Sequence, residues 1–215
     1  MTRSVLTRVL HSLLAFAVIY QLASSLAMEG PKRGHEAAGL PGTLFELHEW
    51  VGLGALAVVA LFWVWSLVRQ GETRLGVLVP WFSRDRLRDL REDLGRHGRS
   101  LRQRTLPVYK PQGALPAAIH GLGLLLISVM ALTGSVFYFW HGGAGTAGAA
   151  AKTAKEVHTT LANLVWTYLI GHAAMAMLHR LAGHDIIQPM FNLRQSGNEP
   201  GAGARPQGDP SRTVS

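Results

Sequence analysis

Cysteine is absent from this chain of 215 residues. That excludes disulfides, thiolate metal sites, iron–sulfur clusters and c-type haem attachment. Charge is scarce too: 16% of residues are Asp, Glu, Lys or Arg, against 48% hydrophobic. Almost no carboxylate lies deep in an apolar stretch, which weighs against a histidine-lined metal or proton transporter, since transport favours mid-membrane acids or broken helices. No internal repeat is discernible.

What is present is long apolar runs. Four stretches are long enough to cross a bilayer as helices: about 7–27, 46–69, 114–140 and 155–180. The expected fold is therefore all-α, a transmembrane four-helix bundle filling residues 1–192. The first run has the basic start and small-residue end of a signal peptide. Its length, its His11 and the three spans after it favour a retained helix.

The net charge of +8 is unevenly spread. Residues 69–110 hold eleven Lys/Arg against five Asp/Glu, whereas residues 29–46 hold two basic and three acidic side chains. Positive loops stay cytoplasmic, so both termini and the loop of about 70–113 are expected on the inner side of the membrane. Topology and anionic lipid account for the basic excess, and no nucleic-acid partner is expected. Within the loop, Leu87, Leu90, Leu94 and Leu101 fall on one helical face behind Trp81 and Phe82, the pattern of an amphipathic helix on the inner membrane surface. The tail of 193–215 is Gly-, Pro- and polar-rich and is expected to be disordered.

Ten histidines are the excess that carries chemistry, because ionisable residues within membrane helices mark function. With the termini inside, His11 and His172 fall near the inner face, His48 and His158 near the outer one. His158 and His172 are fourteen residues apart, which is about 21 Å along a helix and within about 40° of four full turns. Their imidazoles share one face at two depths. The arrangement gives an outer pair, His48 with His158, and an inner pair, His11 with His172. Such pairs suit two haems, each held by two imidazoles from different helices. With both axial positions filled, the iron changes oxidation state but has no vacant site for oxygen. His120 and His179, near the inner side, could contact a haem propionate or a quinone, and His120 could compete with His11 as a ligand. His35, His97 and His141 read as loop residues, and His184 with Asp185 as an interfacial pair. Gly52, Gly54, Gly121, Gly123, Gly134 and Gly171 suit either the approach of a flat macrocycle or close helix packing.

The segments TRVLHSLLAF, LHEWVGLGALAVVALFWVWSLV and VHTTLANLVWTYLIGHAAMAMLHR resemble the first, second and fourth helices of the bacterial cytochrome b561 family. That family includes the cytochrome b subunits of nickel–iron hydrogenases and formate dehydrogenases. The resemblance covers about residues 5–190, and its specific parts are HEWVG and the histidine pair fourteen residues apart. It implies that His11, His48, His158 and His172 are the axial ligands of two haem b groups, and that electrons pass between a partner and the quinone pool. The loop RDRLRDLREDLG with LPVYKPQGAL is similar to the formate dehydrogenase subunits. Tyr109-Lys110-Pro111-Gln112-Gly113 stands where those usually have Tyr-Asn-Ala-Gly-Gln, a departure at the quinone site.

The leading expectation is a di-haem carrier between a periplasmic redox partner and quinone. Lys110 and Arg180, with His120 and His179, are inner-side candidates for proton exchange with quinone. The alternative is a free-standing oxidoreductase that takes electrons from superoxide at the outer face. It would need a positive funnel there, which Lys32, Arg33, Lys152 and Lys155 could form.

Overall fold

The computed structural model describes residues 4–30, 39–68, 78–79, 83–103, 113–141 and 146–183. Five helices cover them: α1 (Val5–Ser25), α2 (Gly39–Val68), α3 (Arg84–Arg102), α4 (Ala114–Trp140) and α5 (Thr146–Leu181). All but α3 are long and apolar enough to cross a membrane. The chain is thus a transmembrane four-helix bundle with an added polar helix. Trp81, Phe82, His35, Lys32, Arg33, residues 109–112, His184, Asp185 and the tail of 193–215 lie outside the described residues.

The helix ends have local causes. Ser4 caps α1 by accepting from the Thr7 amide at 3.2 Å, a favoured N-cap interaction that starts the helix two residues before the expected position 7. The second helix starts at Gly39 rather than 46; Pro41 stands in its first turn, where a missing amide hydrogen costs nothing. The last helix starts at Thr146 rather than 155, because the alanine-rich stretch before Lys155 favours helix without needing lipid contact. It ends as Ala182 and Gly183 donate back to Leu178 and Arg180. Gly183 itself is left-handed at φ 83°, the usual helix stop.

Close backbone packing joins α1 to α2, α2 to α4, and α4 to both α3 and α5. The core gathers Leu22, Val59, Leu124, Ile127 and Val165, with Phe62, Trp63 and Trp166 packed against it. Val165 stands midway between His158 and His172 in sequence, so this apolar layer occupies the middle of the bundle. Trp63 Nε1–H donates to Ser128 Oγ at 2.9 Å, and Ser128 donates to the Leu124 carbonyl at 2.6 Å, so these polar groups of the interior are satisfied. Outside, Phe16, Leu61, Leu67 and Ile170 are each more than half exposed, as suits a surface whose solvent is lipid.

The connection between α2 and α3 reaches into this bundle. Leu78 is buried and joins the core. Its carbonyl lies against Gly121, where a Cβ would overlap it. The face that α3 turns inward carries the half-buried Leu87 and Leu90 and, one turn on, a buried carboxylate. Asp93 is 4% exposed, while Leu94 is 59% exposed. Asp93 Oδ2 accepts from the Leu115 amide at 3.3 Å, and its other oxygen pairs with Arg96. The first turn of α4 has no side-chain cap of its own at Gly113, so a residue from another helix supplies the missing acceptor.

Candidate functional site

The four span histidines come together in two pairs. The His48 and His158 rings lie 6.3 Å apart between centroids, at 75° between planes. His11 and His172 lie 6.5 Å apart at 49°. Each pair joins α5 to the α1–α2 side, and α5 is the least buried of the four spans. Its close backbone packing is on α4, so the rings of α5 reach α1 and α2 from a helix that is not closely packed on either.

At the outer pair both imidazoles are held by hydrogen bonds at Nδ1. His158 Nδ1 lies 3.0 Å from the Met130 carbonyl, a pure acceptor, so this nitrogen donates. It lies 3.1 Å from Thr133 Oγ1, whose own hydroxyl is donated to the Val129 carbonyl at 2.7 Å. Ser24 Oγ lies 3.2 Å from the Gln21 carbonyl and 3.0 Å from His48 Nδ1, and it partners that nitrogen in either tautomer of the ring. In the His158 ring the proton sits on Nδ1 and the lone pair on Nε2. Protein partners on one nitrogen that orient the other are the usual support of a metal-binding histidine. Gln21 also donates to the His48 carbonyl at 2.8 Å, tying α1 to α2 at this level.

The inner pair is held differently. Tyr168 stacks on His172 at 5.6 Å and 12°, and His120 meets the same ring edge-on at 5.2 Å and 90°. His120 Nδ1–H donates to the Pro116 carbonyl at 2.6 Å. His179 is buried, 8% exposed, and Arg8, one turn before His11 on α1, is buried at 2%. His97 belongs to α3 and not to a loop; its Nδ1–H donates to the Asp93 carbonyl at 2.8 Å. His141 closes α4, where it donates to the Tyr138 carbonyl and stacks on Phe137.

The glycines divide by what they touch. A Cβ on Gly52 would meet Gln21, one on Gly123 the Tyr168 hydroxyl, and one on Gly134 the His158 ring. With Gly121 against Leu78, four of the six permit close approach by the protein's own groups. Gly54 and Gly171 have nothing within 4 Å of a built Cβ.

A bundle of four membrane-length helices with paired interior imidazoles defines a class, the integral membrane cytochromes. A family model described as prokaryotic cytochrome b561 matches residues 2–193, and the chain belongs to that family. It is accordingly a membrane haem b protein of electron transfer. Comparison with curated proteins and with solved structures gives no match.

The side chains fit haem. A metal–imidazole bond of about 2 Å, with about 1 Å more from nitrogen to ring centre, puts two imidazoles on opposite sides of one iron about 6 Å apart between centroids. Both pairs have that spacing, while His120 and His172 are closer than it allows. Among the described residues no group of three or more His, Asp or Glu could hold a bare metal ion. Sequence reasoning found the histidines but not Ser24, Gln21, Met130, Thr133 or Tyr168. The signal available for them was position: Ser24 and Thr133 are hydroxyl residues at the depth of the outer histidines.

Proposed function

We propose that this chain is a di-haem b cytochrome that carries electrons across the bacterial inner membrane between a periplasmic redox partner and the quinone pool. The observation that supports it is the pair of centroid separations, 6.3 Å and 6.5 Å, each between histidines of different helices. His48 and His158 would hold the outer haem, and His11 and His172 the inner one. When bound, each haem supplies a one-electron couple.

The chain's own residues do the rest. The Met130 carbonyl and Thr133 at His158 Nδ1, and Ser24 at His48 Nδ1, would hold the protons of the outer imidazoles there, so that both rings would offer Nε2 to the metal. The mid-bundle layer around Val59, Ile127 and Val165 keeps water from the space between the two levels. His120 and His179, on the inner half, are the side chains offered to a haem propionate or to quinone. Reducing one quinone to quinol takes two electrons delivered singly and two protons, which come from the inner aqueous side. The start of α1, the end of α5 and α3 belong to that side, with the arginines of α3 at the anionic headgroups.

The test is a reduced-minus-oxidised spectrum with a haemochrome count on the purified chain. Two low-spin b haems are expected, and single alanine variants of His11, His48, His158 and His172 should each lose one. A chain that binds no haem when made with ample supply refutes the reading.

A further inference from the structure

Of the four paired histidines, His172 has its imidazole gripped by other rings. Tyr168 precedes it by one turn on α5, and the two rings lie nearly parallel, 12° apart in plane. That stack is anchored to another helix. The Tyr168 hydroxyl donates to the Ile119 carbonyl of α4 at 3.3 Å. It reaches α4 because Gly123 leaves room; a Cβ there would overlap the hydroxyl. His120, beside Ile119, presses edge-on against the same imidazole at 5.2 Å. It is itself steadied by its bond to the Pro116 carbonyl. His172 is thus stacked against a phenol and met at right angles by a second imidazole, with His11 standing across from it at 6.5 Å.

The need for such a grip is physical. The torsion that turns an imidazole about its Cβ–Cγ bond is broad and two-fold. Ligation through Nε2 therefore fixes where the ring is but not which way its plane faces. The plane matters, because the angle between two axial imidazoles splits the d orbitals of a low-spin ferric iron and sets its largest g value.

We infer that Tyr168, with His120, is a positioning residue that sets the plane of the His172 imidazole and so the electronic state of the inner haem. This rests on the reading of His172 as an axial ligand.

The experiment is electron paramagnetic resonance with redox titration of the oxidised full-length protein, comparing wild type with Tyr168→Leu and Tyr168→Phe. The His172→Ala variant identifies the inner signal as the one it removes. In Tyr168→Leu the largest g value of the inner haem should shift, with the midpoint potential of that haem, while the outer signal stays. Tyr168→Phe keeps the stack but loses the anchor, and should show a smaller shift of the same kind. If Tyr168→Leu loses the inner haem, the phenylalanine variant decides: a shifted inner signal supports the inference. Two retained haems with an unchanged inner signal in either variant overturn it while leaving the ligand reading intact. If His172→Ala itself retains both haems, the ligand reading fails, and this inference with it.

Discussion

Gly134 of α4 lies against the imidazole of His158 of α5: a Cβ built on it would sit 3.2 Å from Cε1 and 3.4 Å from Nδ1 of that ring. An alanine there asks the ring to yield by a few tenths of an ångström, and a branched side chain asks for much more. The ring cannot yield freely, because its Nδ1 is tied to Met130 and Thr133 on the same helix as Gly134. Gly134→Val is therefore expected to displace His158 and remove the outer haem, leaving one haem per chain. Gly134→Ala should keep both. A haemochrome count on the two variants checks this, and two full haems in Gly134→Val would contradict the arrangement.

The two outer histidines differ in how many acceptors they have. His158 shares its Nδ1 proton between a carbonyl and Thr133, whereas His48, once ligated through Nε2, would give its proton to Ser24. An acceptor on this proton makes the imidazole a more basic ligand, which favours ferric over ferrous iron. Ser24→Ala should raise the midpoint potential of the outer haem. A hydrogen bond worth about 1 kcal/mol corresponds to about 40 mV for one electron. Thr133→Val leaves the Met130 carbonyl in place and should move the potential less. Redox titration of the two variants decides, and an equal or reversed order would show that the hydrogen bonds do not act through the ligand.

Much of the fold was legible because lipid imposes a simple code. Apolar runs of spanning length had to be helices, and the expected 114–140 is the observed α4. The helix starts at Gly39 and Thr146 were not legible, since they extend past the apolar runs that marked the spans. The fourteen-residue spacing of His158 and His172 already put two rings on one face. Depth then fixed which ends of which helices could meet. What depth could not show was the lateral contact. Nothing in the string of residues ties Gly123 to Tyr168 or Gly121 to Leu78, because each contact depends on how two helices rotate against each other. The burial of Asp93 was not legible for a related reason: the leucine stripe of α3 is visible in the spacing, whereas the burial of Asp93 depends on an uncapped turn in another helix.

The Gly121 contact gives a prediction about stability rather than cofactor. A methyl group there would collide with the Leu78 carbonyl, and backbone cannot swing aside as a side-chain tip can. Gly121→Ala should lower stability by about 1–3 kcal/mol, the usual cost of overpacking. Gly98, on α3, has nothing within 4 Å of its built Cβ. Gly98→Ala should instead gain up to about 1 kcal/mol from helix propensity. Thermal unfolding in detergent, followed by circular dichroism, should show midpoints moving in opposite directions. Two variants that move together would mean that Leu78 does not pack on Gly121.

Asp93 offers the last separation, between a charge and a cap. Its carboxylate accepts from the Leu115 amide and pairs with Arg96. The Arg96 side chain is 38% exposed, so losing its partner leaves it partly hydrated, and an ion pair of that kind contributes little. The α4 amide is the more dependent group, since the first turn of a helix has no acceptors of its own. Asp93→Ala should therefore cost about 1–2 kcal/mol, the range for loss of an N-terminal cap. Asp93→Asn, which keeps a carbonyl oxygen for Leu115 but gives up the charge, should recover most of that. Both variants should retain their haem, because α3 carries none of the four paired histidines. Thermal midpoints with a haem count distinguish the cases: equal loss in the two variants would assign the effect to the Arg96 pair, and lost haem in either would mean that the docking of α3 reaches the inner histidines through the start of α4.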